Sequence, residues 1–95
     1  MDFLSRARGA LVGLAVGDAL GTTNEFQPAG SFEPITDMVG GGVFGLEPGQ
    51  WTDDTSMALC LADSLLTQGR YDSFDVMERY ERWYSEGYRS STGVC

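Results

Sequence analysis

Thr52, Asp53, Asp54 and Thr55 follow Trp51 and open the apolar run that continues through Met57, Ala58, Leu59 and Cys60, so two adjacent carboxylates flanked by hydroxyls stand where a loop turns into a helix. Two kinds of chemistry suit that placement. Thr52 or Asp53 at an N-cap would accept a hydrogen bond from a first-turn amide, and acids in a first turn meet the positive end of the helix favourably by about 0.3 to 1 kcal/mol. The alternative is that the group holds a ligand, and paired carboxylates suit a cation. Capping accounts for one aspartate and leaves the second unexplained. Glu25, read locally, is a solvated loop acid, and Asp18 is placed to make a structural hydrogen bond at the end of the first helix.

Composition narrows the chemistry further. The 95 residues carry six arginines, no lysine and fourteen acids, for a formal charge of −8. That balance repels phosphate backbones and anionic membranes, so nucleic acid is not expected as a general partner. There is no histidine, which removes an imidazole base, a His-containing zinc site and a Ser-His-Asp arrangement from these residues. Acid–base work here falls to carboxylates. Cys60 and Cys95 have neither metal-ligand spacing nor a disulfide framework, so reduced thiols in a cytoplasmic setting are expected. The apolar run from Gly9 to Gly17 is too short for a bilayer span and lacks a cleavage site, so no signal peptide and no membrane association are expected.

Three helices must position these groups. Glycines at 9, 13, 17 and 21 recur every four residues, which on a helix makes a slowly drifting stripe that a neighbour can approach closely. From Thr22 to Trp51 no period persists, and Pro28, Pro34, Pro48 and the run Gly40-Gly41-Gly42 break regular structure. Loops this long are uncommon in compact domains unless functional or disordered, and this one runs directly into the paired aspartates. A second helix is predicted from Thr52 or Asp53, with Met57, Ala58, Leu61, Ala62, Leu65 and Leu66 on one broad face and a stop at Gly69. A third is predicted over Ser73 to Glu86, ending at Gly87, with Phe74, Met77, Tyr80 and Tyr84, and also Val76 and Trp83, as core. The fold class is all-α.

Read together, Gly17-Asp18-Ala19-Leu20-Gly21, then Glu25, then the glycine-rich loop, then Trp51-Thr52-Asp53-Asp54-Thr55 resemble the amino-terminal part of the ADP-ribosylglycohydrolase family. The resemblance implies an all-α domain that hydrolyses the glycosidic bond between ADP-ribose and an acceptor, commonly a protein side chain, with two Mg²⁺ or Mn²⁺ ions. It assigns Thr52, Asp53 and Asp54 to the first metal-ligand group and makes Glu25 a ligand or the general base for water. Their hydroxyl and carboxylate oxygens are hard donors, as those ions require. Tyr88, Arg89 and Ser90 are weaker candidates to approach substrate phosphate or ribose.

The same resemblance implies that residues 1–95 are a partial domain, truncated at its C-terminal end, because the family's later Asp-x-Asp-Ser/Thr element is absent. The chain alone is then expected to be inactive, with half a metal site. The rival reading is a non-catalytic helical binding or structural domain on the same scaffold. Thr52, Asp53, Asp54 and Glu25 argue against it, and the absence of the downstream acids keeps it open.

Overall fold

The computed structural model describes residues 2–95. Three α-helices form among them: α1, Phe3–Gly21; α2, Asp53–Gln68; and α3, Ser73–Glu86, with a 3₁₀ turn at Thr22–Asn24 directly after α1. No strand forms among the described residues, and the expected all-α class holds. The chain divides after Trp51 into two compact units.

In the first unit, α1 starts because the Asp2 carboxylate accepts a hydrogen bond from the Ser5 amide at 2.7 Å, a side-chain N-cap. Its apolar residues are spread around the helix, and Leu4, Leu11, Val12, Leu14 and Val16 are all exposed. The glycine stripe is open as well: a Cβ built at Gly9, Gly13, Gly17 or Gly21 would meet nothing within 4 Å. Sequence spacing thus describes a surface prepared for close approach, and no residue of the first unit takes it up.

The segment after α1 is a built loop. Thr23 Oγ1 donates to the Gly40 carbonyl at 2.6 Å. Gly41 and Leu46 exchange backbone hydrogen bonds as an isolated antiparallel bridge, and Gly45 N–H closes the turn onto Gly42. Phe26 packs edge-on against Phe44 with ring centroids 6.4 Å apart. These contacts fasten the glycine-rich stretch to the 3₁₀ turn that leads into Glu25.

Gly42 sits in this loop at φ +70°, and a Cβ there would press on the backbone carbonyl of Thr22; Gly45, at φ +60°, faces open space. Gly45→Ala should therefore cost only the left-handed backbone term, about 1 to 2 kcal/mol, whereas Gly42→Ala adds a backbone collision to the same term. Denaturant midpoints of the two variants in the intact protein check the order. Equal losses would mean that the loop does not rest on the 3₁₀ turn.

In the second unit, α2 packs against α3. Both helices end as the glycines predict. Gly69 and Gly87 adopt left-handed conformations, and their N–H groups bond back to Leu65 and Trp83. α3 begins where the Asp72 carboxylate accepts from the amides of Phe74 and Asp75.

The buried face of α2 differs from the apolar face read in the sequence. Ser56, Cys60 and Ser64, spaced four apart, are buried, while Leu65 and Leu66 are exposed. Small side chains let the helices approach: the Cys60 thiol reaches the Arg79 carbonyl of α3 at 3.6 Å. On α3, Val76 is buried, but Phe74, Met77 and Tyr84 are exposed rather than core. Periodicity located the helices and misassigned the faces.

Candidate functional site

Thr52, Asp53 and Asp54 stand at the start of α2, with Thr52 at the N-cap and both aspartates in the first turn. The two aspartates are exposed and Thr52 is partly so. Thr52 adopts the extended backbone of an N-cap, yet its side chain makes no capping hydrogen bond. The local capping reading is therefore only half met. The helix's positive end favours both carboxylates, but the hydroxyl does not serve the first-turn amides. Thr55 and Ser56 follow, both buried, and the Ser56 amide bonds back to the Thr52 carbonyl at 3.2 Å.

Glu25 lies in the first unit, immediately after the 3₁₀ turn, with its amide bonded to the Thr22 carbonyl at 3.2 Å. It is partly buried rather than the fully solvated acid of the local reading. The next residue, Phe26, holds a left-handed backbone at φ 67°, which non-glycine residues seldom adopt. Strain of this kind persists where surroundings over-determine it, here the Phe44 ring and the turn. Asp18 closes α1, and its backbone carbonyl receives the Thr22 N–H.

The donor set at the start of α2 fits a hard divalent cation. It offers hydroxyl and carboxylate oxygens, with both carboxylates exposed, and the chain has no histidine. Among the described residues, no three His, Cys, Asp or Glu side chains gather closely enough to hold a metal.

A second cluster escaped sequence reasoning. Asp63, two turns along α2 from Ser56, takes both donors of Arg89: Nε to Oδ2 at 2.6 Å and Nη2 to Oδ1 at 3.0 Å. The Tyr88 hydroxyl donates to the same Oδ2 at 2.6 Å and accepts from Arg79 Nη1 at 3.0 Å. Arg79 in turn bonds Asp75 at 2.7 Å, and the Arg82 guanidinium lies over the Tyr88 ring at 4.1 Å. Arg89, a weak candidate for substrate phosphate, is thus occupied with Asp63. The available signal was the stripe Ser56, Cys60, Ser64, which marks the α2 face that meets α3 and carries Asp63 at its edge.

Charge follows these contacts. The Arg89 guanidinium holds the Asp63 carboxyl below the usual carboxylate range against the opposing effect of burial, and the Tyr88 hydroxyl adds to the lowering. Asp75 is lowered by the nearby Ser64 hydroxyl, which sits outside full hydrogen-bond geometry, and by Arg79. Burial pushes the Cys60 thiol up, so it stays protonated and inert.

A carboxyl whose pKa falls on folding contributes stability that is complete above its unfolded value and is lost as pH drops through the lower folded value. For Asp63 that window lies below about pH 4. Asp63→Asn in the intact protein should lower the melting temperature at neutral pH, with the deficit vanishing as the pH is taken down through that window. Melting curves from pH 7 to pH 2 check this. A deficit constant over that range would show that Asp63 is not paired as an anion.

Comparison with known proteins adds the following. The sequence model of the ADP-ribosylglycohydrolase family matches residues 1–94. The chain is 58% identical over 94 residues to the ADP-ribosylarginine hydrolase Tri1 of Serratia proteamaculans, covering 99% of this chain and 25% of that protein. It is 48% identical over 82 residues to the ADP-ribosyl-[dinitrogen reductase] glycohydrolase of Rhodospirillum rubrum, covering 82% and 28%. A solved structure described as an ADP-ribosylglycohydrolase-related protein complex superposes with a TM-score of 0.82 at 59% identity, over 87% of this chain and 29% of the other. The chain spans about a quarter of the length of the curated relatives it matches.

Proposed function

This chain belongs to the ADP-ribosylglycohydrolase family, and from that membership we propose that the protein carrying it hydrolyses the N-glycosidic bond between ADP-ribose and an arginine side chain. The observation that carries the proposal is the run of hydroxyl and carboxylate oxygens of Thr52, Asp53 and Asp54 at the start of α2. The arginine acceptor is supported by two relatives named as ADP-ribosylarginine hydrolases, at 58% and 55% identity.

Thr52, Asp53 and Asp54 would hold Mg²⁺ or Mn²⁺. Bound there, the ion supplies Lewis-acid stabilisation to oxygen atoms of substrate and water. Glu25 takes a proton from the attacking water as its oxygen bonds to the anomeric carbon. The bond to the guanidine nitrogen breaks through an oxocarbenium-like transition state, and the departing guanidine carries away the bonding pair and takes a proton from solvent. The loop from Thr22 to Leu46 holds Glu25 through the Thr23–Gly40 and Phe26–Phe44 contacts.

Residues 1–95 are, on this reading, the amino-terminal part of a larger helical domain whose remaining ligands lie outside them. The coverage of about a quarter of each relative supports it. The test is release of free ADP-ribose from an ADP-ribosylarginine peptide, with Mn²⁺ and with a chelator, by the intact protein and by residues 1–95 alone. Release by the intact protein only, abolished by chelation, is expected. Chelator-insensitive release would overturn the metal assignment, and release by residues 1–95 alone would overturn the partial-domain reading.

A further inference from the structure

Arg89 is held at both of its ends. Its guanidinium is gripped by both oxygens of Asp63, and its backbone carbonyl accepts the Ser56 hydroxyl at 3.0 Å. Between these two attachments its backbone takes a left-handed conformation at φ 63°, costly for a residue with a side chain and sustained only where neighbours enforce it. Tyr88 is fixed alongside by Asp63, Arg79 and the Arg82 guanidinium over its ring. The Ser90 amide closes back onto the Gly87 carbonyl at 2.9 Å. The segment 87–90 is therefore a strap fastened along α2 at Asp63 and at Ser56.

The Ser56 attachment matters for the site. Thr52 and Asp53 stand four and three residues before Ser56, hence on the same side of the helix one turn away, and the Ser56 amide already bonds Thr52. The backbone of Arg89 thus lies about one helical turn, roughly 5 Å along the axis, beyond the oxygen-donor group.

We infer that Asp63 is a positioning residue: by gripping Arg89 it fixes the 87–90 strap against the first turns of α2, so that the strap forms one wall of the substrate site. The effect on turnover rests on the functional reading above, while the strap's attachment stands independently of it. Arg89 then acts as a fastening and does not itself bind substrate phosphate.

The experiment uses the intact protein as wild type, Asp63→Asn, Arg89→Gln and the double variant, reading amide hydrogen exchange together with kcat and KM on an ADP-ribosylarginine peptide. Exchange of amides 88–92 should rise about five- to tenfold in either single variant and no further in the double, as for two ends of one fastening. KM should rise by a similar factor in all three, measured where the protein remains folded. A merely structural role would lower the melting temperature and leave KM unchanged, which would overturn the positioning role. A rise in KM for Arg89→Gln without one for Asp63→Asn would assign Arg89 to the substrate and overturn it too. Unaltered exchange in Asp63→Asn would remove the strap itself. Wild-type protein that releases no ADP-ribose sinks the hydrolase reading and with it the wall, and the exchange pattern still decides the strap.

Discussion

Asp53→Ala and Asp54→Ala, each made in the intact protein, are expected to reduce release of ADP-ribose by more than about 100-fold, because changes even to the outer partners of metal ligands cost 10- to 100-fold. Both residues sit in the first turn of α2, where a capping role makes the opposite prediction: about 0.5 to 2 kcal/mol of lost stability with turnover intact. Without metal, removing Asp53 relieves repulsion from its neighbour and gives up its attraction to the helix's positive end, so the metal-free melting temperature of Asp53→Ala should change little. Mn²⁺ separates the cases further. Wild-type protein at 100 times the dissociation constant gains about 2.7 kcal/mol from binding, and a variant that has lost a ligand gains much less. Variants that melt lower yet turn over normally would return the pair to a capping role.

How much of this was legible in the sequence depended on whether the signal was local. Gly69 and Gly87 end α2 and α3 where the sequence predicts, because a left-handed C-terminal residue is a property of one position and glycine alone adopts it without strain. The placement of Thr52, Asp53 and Asp54 at a helix start was legible for the same reason, since they are consecutive residues ahead of an apolar run.

Faces were not legible. The hydrophobic pattern of α2 selects Leu65 and Leu66, but α3 packs where Ser56, Cys60 and Ser64 allow close approach, and hydrophobicity does not register that choice. Phe74, Met77 and Tyr84 are misassigned to the core for the same reason. The Asp63–Arg89 pair joins residues 26 apart, and nothing in either local sequence announces the other. Glu25 falls between these cases. Its position was found by resemblance, while the contacts that hold it, Thr23 to Gly40 and Phe26 to Phe44, span the loop and belong to its folded form.

Glu25→Gln in the intact protein is the second change of large expected effect, a loss of about 10² to 10⁴ in kcat if the carboxylate takes the proton from water. The substitution keeps the size and leaves the Glu25 backbone bond to Thr22 in place, so the fold of the turn should survive. Two roles were left open by the sequence, general base and metal ligand, and they separate on one comparison. As a base, Glu25 contributes nothing to binding of the ion, so the rise in melting temperature on adding Mn²⁺ should match that of the wild type while kcat collapses. A ligand would lose both together. The general-base assignment further requires the acid limb of the kcat profile, which reports the group titrating in the enzyme–substrate complex, to vanish in Glu25→Gln. Residual turnover with an unchanged acid limb would move the base to another carboxylate and leave Glu25 a structural residue of its own loop.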